Sequence, residues 1–354
     1  MLSSLNFNTV YPVVWNRGYT FYPSAVARQA TNASQNPQLK WFRGNSDLLS
    51  EIVRIGKRQK LKVIPWFEYG FIVPANSEIA MLHPNWLTQA STGNKIILEN
   101  RQENLVEPLP AKKINPISQW QQSLKSQLKI QQVWLNPFHP EVQQFIKELI
   151  VEIIANYDVD GIQLDDHFGL PVELGYDRYT SSIYRREHNG KNPPQNPRDR
   201  EWMRWRANKL TEFMAQIDRS VKIVKPKIKI VLSPNSQDFA YRNYLQDWQT
   251  WVKRGLIDEL ILQAYQDDLS SFVAQLNEPA LKVARSQIPV SIGIFTGSPS
   301  RPIEIERIEE KVKAIRDRSF AGVSFFYWES LWGYIAPESP KQRRKAFETI
   351  FANT

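Results

Sequence analysis

Apolar positions along the chain switch repeatedly between a period of two and a helical period, and each switch marks an element. Asn8-Thr9-Val10-Tyr11-Pro12-Val13-Val14-Trp15 reads as a strand that ends on an aromatic residue, followed by the turn Arg17-Gly18-Tyr19. From Asp47 to Lys60, Leu48, Leu49, Ile52, Val53 and Ile55 fall at helical spacing, and Lys62-Val63-Ile64-Pro65-Trp66-Phe67-Glu68-Tyr69 follows as a second strand. The best helix starts at Pro140, where proline suits the first helical position. It carries Val142, Phe145, Ile146, Leu149, Ile150, Ile153 and Ile154 as one continuous stripe. That helix feeds Gly161-Ile162-Gln163-Leu164-Asp165, in which Ile162 and Leu164 alternate with Gly161, Gln163 and Asp165. The apolar pair should face helices, leaving the other three residues toward a polar interior. Helices over Asp199 to Lys225, Tyr244 to Arg254, Phe272 to Leu281, Glu304 to Arg316 and Ser339 to Phe351 alternate with four further strands.

Strand–helix alternation predicts a parallel sheet with crossover helices. No linker, composition break or internal repeat divides residues 1–354, so the chain reads as a single α/β domain. Polar and aromatic residues collect at strand C-terminal ends, where TIM-type (β/α) barrels keep their sites. A doubly wound sheet would more often carry a glycine-rich phosphate turn after its first strand, and none is present. Strands near residues 10, 64, 162, 230, 262, 292 and 325 number seven, whereas a closed barrel of this kind has eight. The expected fold is therefore a TIM-type barrel that lacks its first strand. Two stretches, Phe71 to Val133 and Phe168 to Arg198, read as long functional loops on the Asp165 side of the sheet.

Composition narrows the chemistry. With no cysteine among 354 residues, disulfides, thiolate metal sites and cysteine nucleophiles are excluded. The four histidines show no metal-binding spacing, so neither a metal nor another cofactor is expected. His83 and His139 adjoin prolines and read as turn or cap residues, and His167 as a loop hydrogen-bonder. The net charge of +9 is spread along the chain and is densest at Lys341, Arg343, Arg344 and Lys345. That pattern reads as a solvated surface, and no DNA- or RNA-binding module accompanies it. No apolar run approaches the ~20 residues that span a bilayer. Met1 to Leu5 runs directly into a strand-like segment, without the pattern of a signal peptide.

Several motifs together resemble a known family. They are Asn8-Thr9-Val10-Tyr11, Tyr22-Pro23-Ser24, Trp66-Phe67, His83-Pro84-Asn85-Trp86, Trp134-Leu135-Asn136-Pro137 with His139-Pro140-Glu141-Val142, Asp158-Val159-Asp160-Gly161-Ile162 with Asp165-Asp166, Ser233-Pro234 and Gln263-Ala264-Tyr265. In this order they resemble glycosyl-hydrolase-like family ten, bacterial TIM-barrel proteins of the cell envelope. The resemblance implies an enzyme acting on peptidoglycan glycan that lacks stem peptides, and a place in the envelope or outside the cell. It also implies an opening strand and helix ahead of Leu5, which this sequence does not show. A gap between the strands at Val10 and Phe325, or a strained pairing of the two, is the expected consequence.

With a barrel assumed, Asp165, Asp166, Glu68, Asn235, Gln263, Tyr265, Trp328 and Glu329 stand at strand ends around its mouth. Trp15, Trp66 and Trp328 offer flat apolar faces for sugar rings. Gln163 on the inner face of its strand and Asn136 in the Trp134 motif complete the expected substrate contacts. Glycosidic cleavage needs an acid for the leaving oxygen and a group for the oxocarbenium-like centre. A glutamate pair after the fourth and seventh strands does not fit, because Ile294-Phe295-Thr296-Gly297 carries no acid. A Ser-His-Asp site lacks its nucleophile elbow. Peptidoglycan sugars carry a 2-acetamido group that can itself act as nucleophile, and enzymes of that type can place adjacent aspartates after the fourth strand. On this analogy Asp165 orients the acetamide, Asp166 is the general acid, and Tyr265 bonds the acetamide oxygen. Two classes follow, a polysaccharide hydrolase or a catalytically inactive glycan-binding barrel.

Overall fold

The computed structural model describes residues 2–44, 46–95, 131–333 and 335–352. Seven parallel strands form one sheet: β1 (Thr9–Val10 continued by Val13–Asn16), β2 (Lys62–Val63 continued by Trp66–Phe67), β3 (Gly161–Asp165), β4 (Lys229–Ser233), β5 (Glu259–Ala264), β6 (Val290–Phe295) and β7 (Gly322–Phe326). Their order across the sheet is β7-β6-β5-β4-β3-β2-β1, and Tyr19–Thr20 adds a short antiparallel strand outside β1. Pro12 and Pro65 explain why β1 and β2 are each broken in two, since proline has no N–H for the ladder. The ladder resumes across both breaks, with Trp66 N donating to Pro12 O at 2.8 Å and Gln163 N to Pro65 O at 2.7 Å.

The sheet curls strongly. Trp66 on β2 and Phe326 on β7 have four strands between them in the order, yet their rings lie 5.9 Å apart. Phe7, just ahead of β1, meets Phe325 of β7 at 5.8 Å. Among the described residues, however, no hydrogen-bonded ladder joins β7 to β1. The two edges face one another across a seam, and β7 is only half buried along its whole length.

Outside the sheet, helices take the apolar faces. The helix α1 (Leu48–Arg58) is capped by Asp47, whose carboxylate accepts from Ser50 N, and buries Leu49 and Val53. In α2 (Pro140–Asn156) the whole predicted stripe from Val142 to Ile154 is buried. The helix α3 (Arg200–Val224), capped by Asp199, packs Trp202, Leu210, Phe213 and Ile217 into the same core. Ile162 and Leu164 of β3 point into that core, while Gln163 and Asp165 line the interior of the curled sheet. The first two inward positions on β6 and on β7 are small, namely Ser291 and Gly293, and Gly322 and Ser324, while Phe326 stands at the Asp165 end. A cavity of about 1310 Å³ therefore runs inside the sheet, from the Asp165 end to Lys227 and Phe351 at the other.

Several elements differ from expectation. Residues 96–130 lie outside the described residues, but the excursion after β2 holds Ile72–Pro74, paired antiparallel with Gln132–Trp134, and the helix Glu78–Leu82. The stretch 168–198 contains the helix Arg178–Glu187, capped by Asp177. Polar and aromatic residues crowd that helix, so no apolar stripe announced it. Of the helix expected over Tyr244 to Arg254, Trp248–Lys253 forms; Tyr244 instead ends a separate helix, Gln237–Tyr244, which stops at Leu245 in the left-handed conformation.

Candidate active site

Strand β3 ends at Asp165 and turns at once, so two neighbouring carboxyls emerge at the C-terminal end of the sheet. Asp165 is 1% exposed; its Oδ2 accepts from the indole Nε1 of Trp66 at 3.0 Å, and its Oδ1 from the backbone N of His167 at 2.9 Å. Asp166, 4% exposed, is held by the adjacent strands. Asn235, after β4, donates its Nδ2 to Oδ2 at 2.9 Å, and Gln263 of β5 donates its Nε2 to Oδ1 at 3.0 Å. Those two amides are fixed in turn. Gln263 Nε2 also reaches Ser233 O at 2.8 Å, and Trp248 Nε1 bonds Asn235 O at 3.1 Å. Beneath the turn, buried Gln246 donates to Asp165 O at 2.9 Å and Phe168 O at 3.1 Å.

His167 closes the cluster. Its Nδ1 hydrogen-bonds Glu68 O at 2.8 Å and stands 3.4 Å from the Asp165 carboxylate and 3.6 Å from Asp166 Oδ1. The imidazole lies flat on Tyr69, with ring centres 5.4 Å apart and planes 2° from parallel. Glu68 takes a short hydrogen bond from Asn16, and burial raises its carboxyl pKa. Burial pushes the Asp165 carboxyl up to about 7, against the lowering pull of His167. Burial pulls His167 down, but the charges of Asp166 and then Asp165 outweigh it and hold the imidazole at about 10. Tyr265 is raised by burial and then by both aspartates, so its hydroxyl remains a donor. Its ring stacks on Phe326 at 5.8 Å and adjoins Phe295 at the same distance.

Asp165, Asp166 and His167 are the described residues whose ligand atoms, within 4.8 Å of one another, come closest to a metal-binding group. The Nδ1 that faces the acids is already bonded to Glu68 O, and both carboxyls accept from N–H donors. The arrangement is that of a hydrogen-bonded acid cluster.

Of the residues expected at the site, Asp165, Asp166, Tyr265, Trp66, Glu68, Gln163, Asn235, Gln263 and Trp328 line the one cavity. Trp328, 47% exposed on the short helix Trp328–Leu331, presents its ring at the mouth. Three residues are not brought there. Trp15 is fully buried, donates Nε1 to Gly70 O at 2.8 Å and packs edge-on to Phe145, so it is a core residue. Asn136 is also fully buried; its amide bonds Asp177 Oδ1 at 2.9 Å and Thr180 Oγ1 at 3.0 Å, which secures the Arg178 helix. Glu329 is exposed and does not line the cavity. Conversely, His167, Tyr69 and Tyr327 do line it. Position beside the acid pair was the available signal for His167; Tyr69 and Tyr327 had none beyond falling at strand ends.

The acid pair thus stands at the C-terminal end of a curled parallel sheet, in an aromatic-walled cavity of an α/β domain. The chain belongs to the family Glycosyl hydrolase-like 10, whose pattern matches residues 1–112 and 95–314. It is 26% identical over 192 residues to glycosyl hydrolase DigH of Escherichia coli K12, covering 47% of this chain and 41% of that protein. It is 28% identical over 150 residues to glycosyl hydrolase YngK of Bacillus subtilis, covering 38% and 28%. These matches span less than half the length of either relative. In fold it is similar to the PgaB (BpsB) glycoside hydrolase domain of Bordetella bronchiseptica, with a TM-score of 0.66 at 14% identity over 99% of this chain and 90% of that one. The catalytic domain of a Paenibacillus polymyxa beta-amylase superposes with a TM-score of 0.61 at 10% identity, covering 99% and 93%.

Proposed function

We propose that the protein is a glycoside hydrolase that cleaves an envelope polysaccharide, with peptide-free peptidoglycan glycan as its substrate, and that it works at the cell envelope. The curled sheet is, on this reading, a (β/α) barrel with one strand position unfilled. The observation that carries the proposal is the acid pair itself. Two adjacent carboxyls share one cavity but have different surroundings, one buried against an indole and pushed to about 7, the other gripped by two side-chain amides. Environments that separate two carboxyls in this way are how acid and base roles are divided at one pH.

The difference in burial supports a division of roles opposite to the one the analogy suggested. Asp165 is the carboxyl that keeps a proton near neutrality, and it protonates the leaving glycosidic oxygen. Asp166, fixed by Asn235 and Gln263, orients the 2-acetamido group of the sugar on the other side of the bond, and that group attacks the anomeric carbon. The Tyr265 hydroxyl donates to the acetamide oxygen, while Trp66 and Trp328 offer faces to the sugar rings. Water then opens the cyclic intermediate, with Asp165, now a carboxylate, taking its proton. Incubation with peptide-free peptidoglycan glycan and mass spectrometry of the products tests the reading. Released oligosaccharides support it. Binding without products would instead make the protein a glycan-binding domain, and neither binding nor products would remove the substrate.

A further inference from the structure

His167 has no part in the chemistry above, yet three elements converge on it. The turn after β2 supplies the Glu68 carbonyl and the Tyr69 ring. The turn after β1 supplies Arg17, whose guanidinium lies 5.4 Å above Tyr69 and reaches its hydroxyl at 3.3 Å. The end of β3 supplies both aspartates, and Tyr265 at the end of β5 lies within electrostatic reach of those aspartates. The histidine grips Asp165 through its own backbone N at 2.9 Å and faces Asp165 and Asp166 with the same ring edge, at 3.4 and 3.6 Å. Its orientation is therefore fixed by a stack on one face and a carbonyl at one edge.

Charge counting gives this geometry a purpose. Two carboxylates and one imidazolium sum to −1, which a site this buried resists. A single proton on one carboxyl makes the trio neutral. Without the imidazolium, neutrality would require both carboxyls to be protonated. The other ionisable groups do not substitute for it. Glu68 is itself acidic and is engaged by Asn16 with Arg17 nearby, Tyr265 stays neutral, and Asn235 and Gln263 are uncharged donors.

We infer that His167 is a positioning residue that supplies one positive charge to the two neighbouring carboxyls, so that a single proton between them makes the buried trio neutral. This rests on the hydrolase reading for its consequence in catalysis, though not for its electrostatics. The directions agree, since the aspartates hold His167 protonated and His167 pulls Asp165 down against its burial.

The test compares wild type with His167→Gln and Tyr69→Leu by two readouts. Carboxyl ¹³C NMR, with Asp165→Asn for assignment, follows the Asp165 titration without needing turnover. The pH profile of kcat/KM follows the acid in action. In His167→Gln the Asp165 midpoint should move up by a pH unit or more, and the descending limb of the profile should move with it. Tyr69→Leu, which only loosens the ring, should give a smaller shift in the same direction, and it decides the matter if His167→Gln does not fold. Lower activity or melting temperature with an unmoved midpoint in both variants would reduce His167 to a structural residue. Failure of the wild type to cut glycan, with the NMR shift present, would overturn the hydrolase reading and leave the charge balance standing.

Discussion

Asp165→Asn and Asp166→Asn remove different things, and the contacts of each residue say what. Asn at 165 can accept from only one of the two donors, Trp66 Nε1 or His167 N, because its other terminal atom is an NH2, and it has no acidic proton to give to a leaving oxygen. Cleavage of an ordinary glycan should fall by about 10²- to 10⁴-fold, the usual worth of a general acid. A substrate with a leaving group that needs no protonation, such as a nitrophenyl glycoside of N-acetylglucosamine, should be largely spared. Asn at 166 removes the charge that steadies the acetamide and its developing cation, so both substrates should suffer. Wild-type activity should fall above about pH 7, as Asp165 loses its proton, and that limb should disappear for the activated substrate. If Asp166→Asn is the variant that spares the activated substrate, the two roles are exchanged. Adjacency of the acids was plain in the sequence; which of them would be buried against an indole was not, because that depends on how far β2 runs beside β3.

At the scale of elements, the site depends on how closely the loops after β2 and β3 approach. Gly70 adopts a φ of +45°, and a Cβ there would lie 2.4 Å from the backbone oxygen of His167. Gly70→Ala must push that turn away, together with the aspartates on it. A loss of roughly 1–3 kcal/mol in chemical denaturation is expected, with a tenfold or greater loss of activity. Gly190→Ala is the control. It also has a positive φ, +84°, but nothing within 4 Å of a new Cβ. It should cost about 1 kcal/mol and leave activity unchanged; equal effects from the two would mean that the loop contact does not position the acids. The helices α1, α2 and α3 and all seven strands were legible because their apolar periods are long and their caps conventional. The Arg178 helix and the Ile72–Pro74 hairpin were not, since neither carries a stripe of its own. The Arg178 helix is tied down through buried Asn136 on Asp177, 41 residues apart in sequence, and the hairpin through its ladder to Gln132–Trp134. Trp15 misled for a related reason. Alternation places it near a strand end, and only the packing of Phe145 and the carbonyl of Gly70 reveal it as core.

For the molecule as a whole, the open question of architecture is the seam, and the ladder at β7 makes it measurable. Ala321 N donates to Val290 O at 2.9 Å, which orients the strand: its N–H groups point alternately toward β6 and away from it. Val323 and Phe325 should thus be bonded to β6, while the N–H groups of Gly322 and Ser324 point into the seam toward β1. Small inward residues on β6 and β7 leave the cavity open there, so water can reach those amides. In native-state hydrogen exchange, Gly322 and Ser324 should exchange at least tenfold faster than Val323 and Phe325 under the same conditions. Equal protection of all four would mean that the sheet closes on itself and that the seam does not persist in solution. An added edge strand gives the experiment a second arm. Joining a strand–helix unit of roughly 30–50 residues ahead of Leu2 should slow exchange at Gly322 and Ser324 and raise the melting temperature, because it pairs an edge that is otherwise left to solvent. Exchange that stays fast with the unit attached would show that the unit does not dock against β7. The Asp165 carboxyl lies on β3, four positions from β7 in the sheet order, and its titration should be the same with or without the added strand.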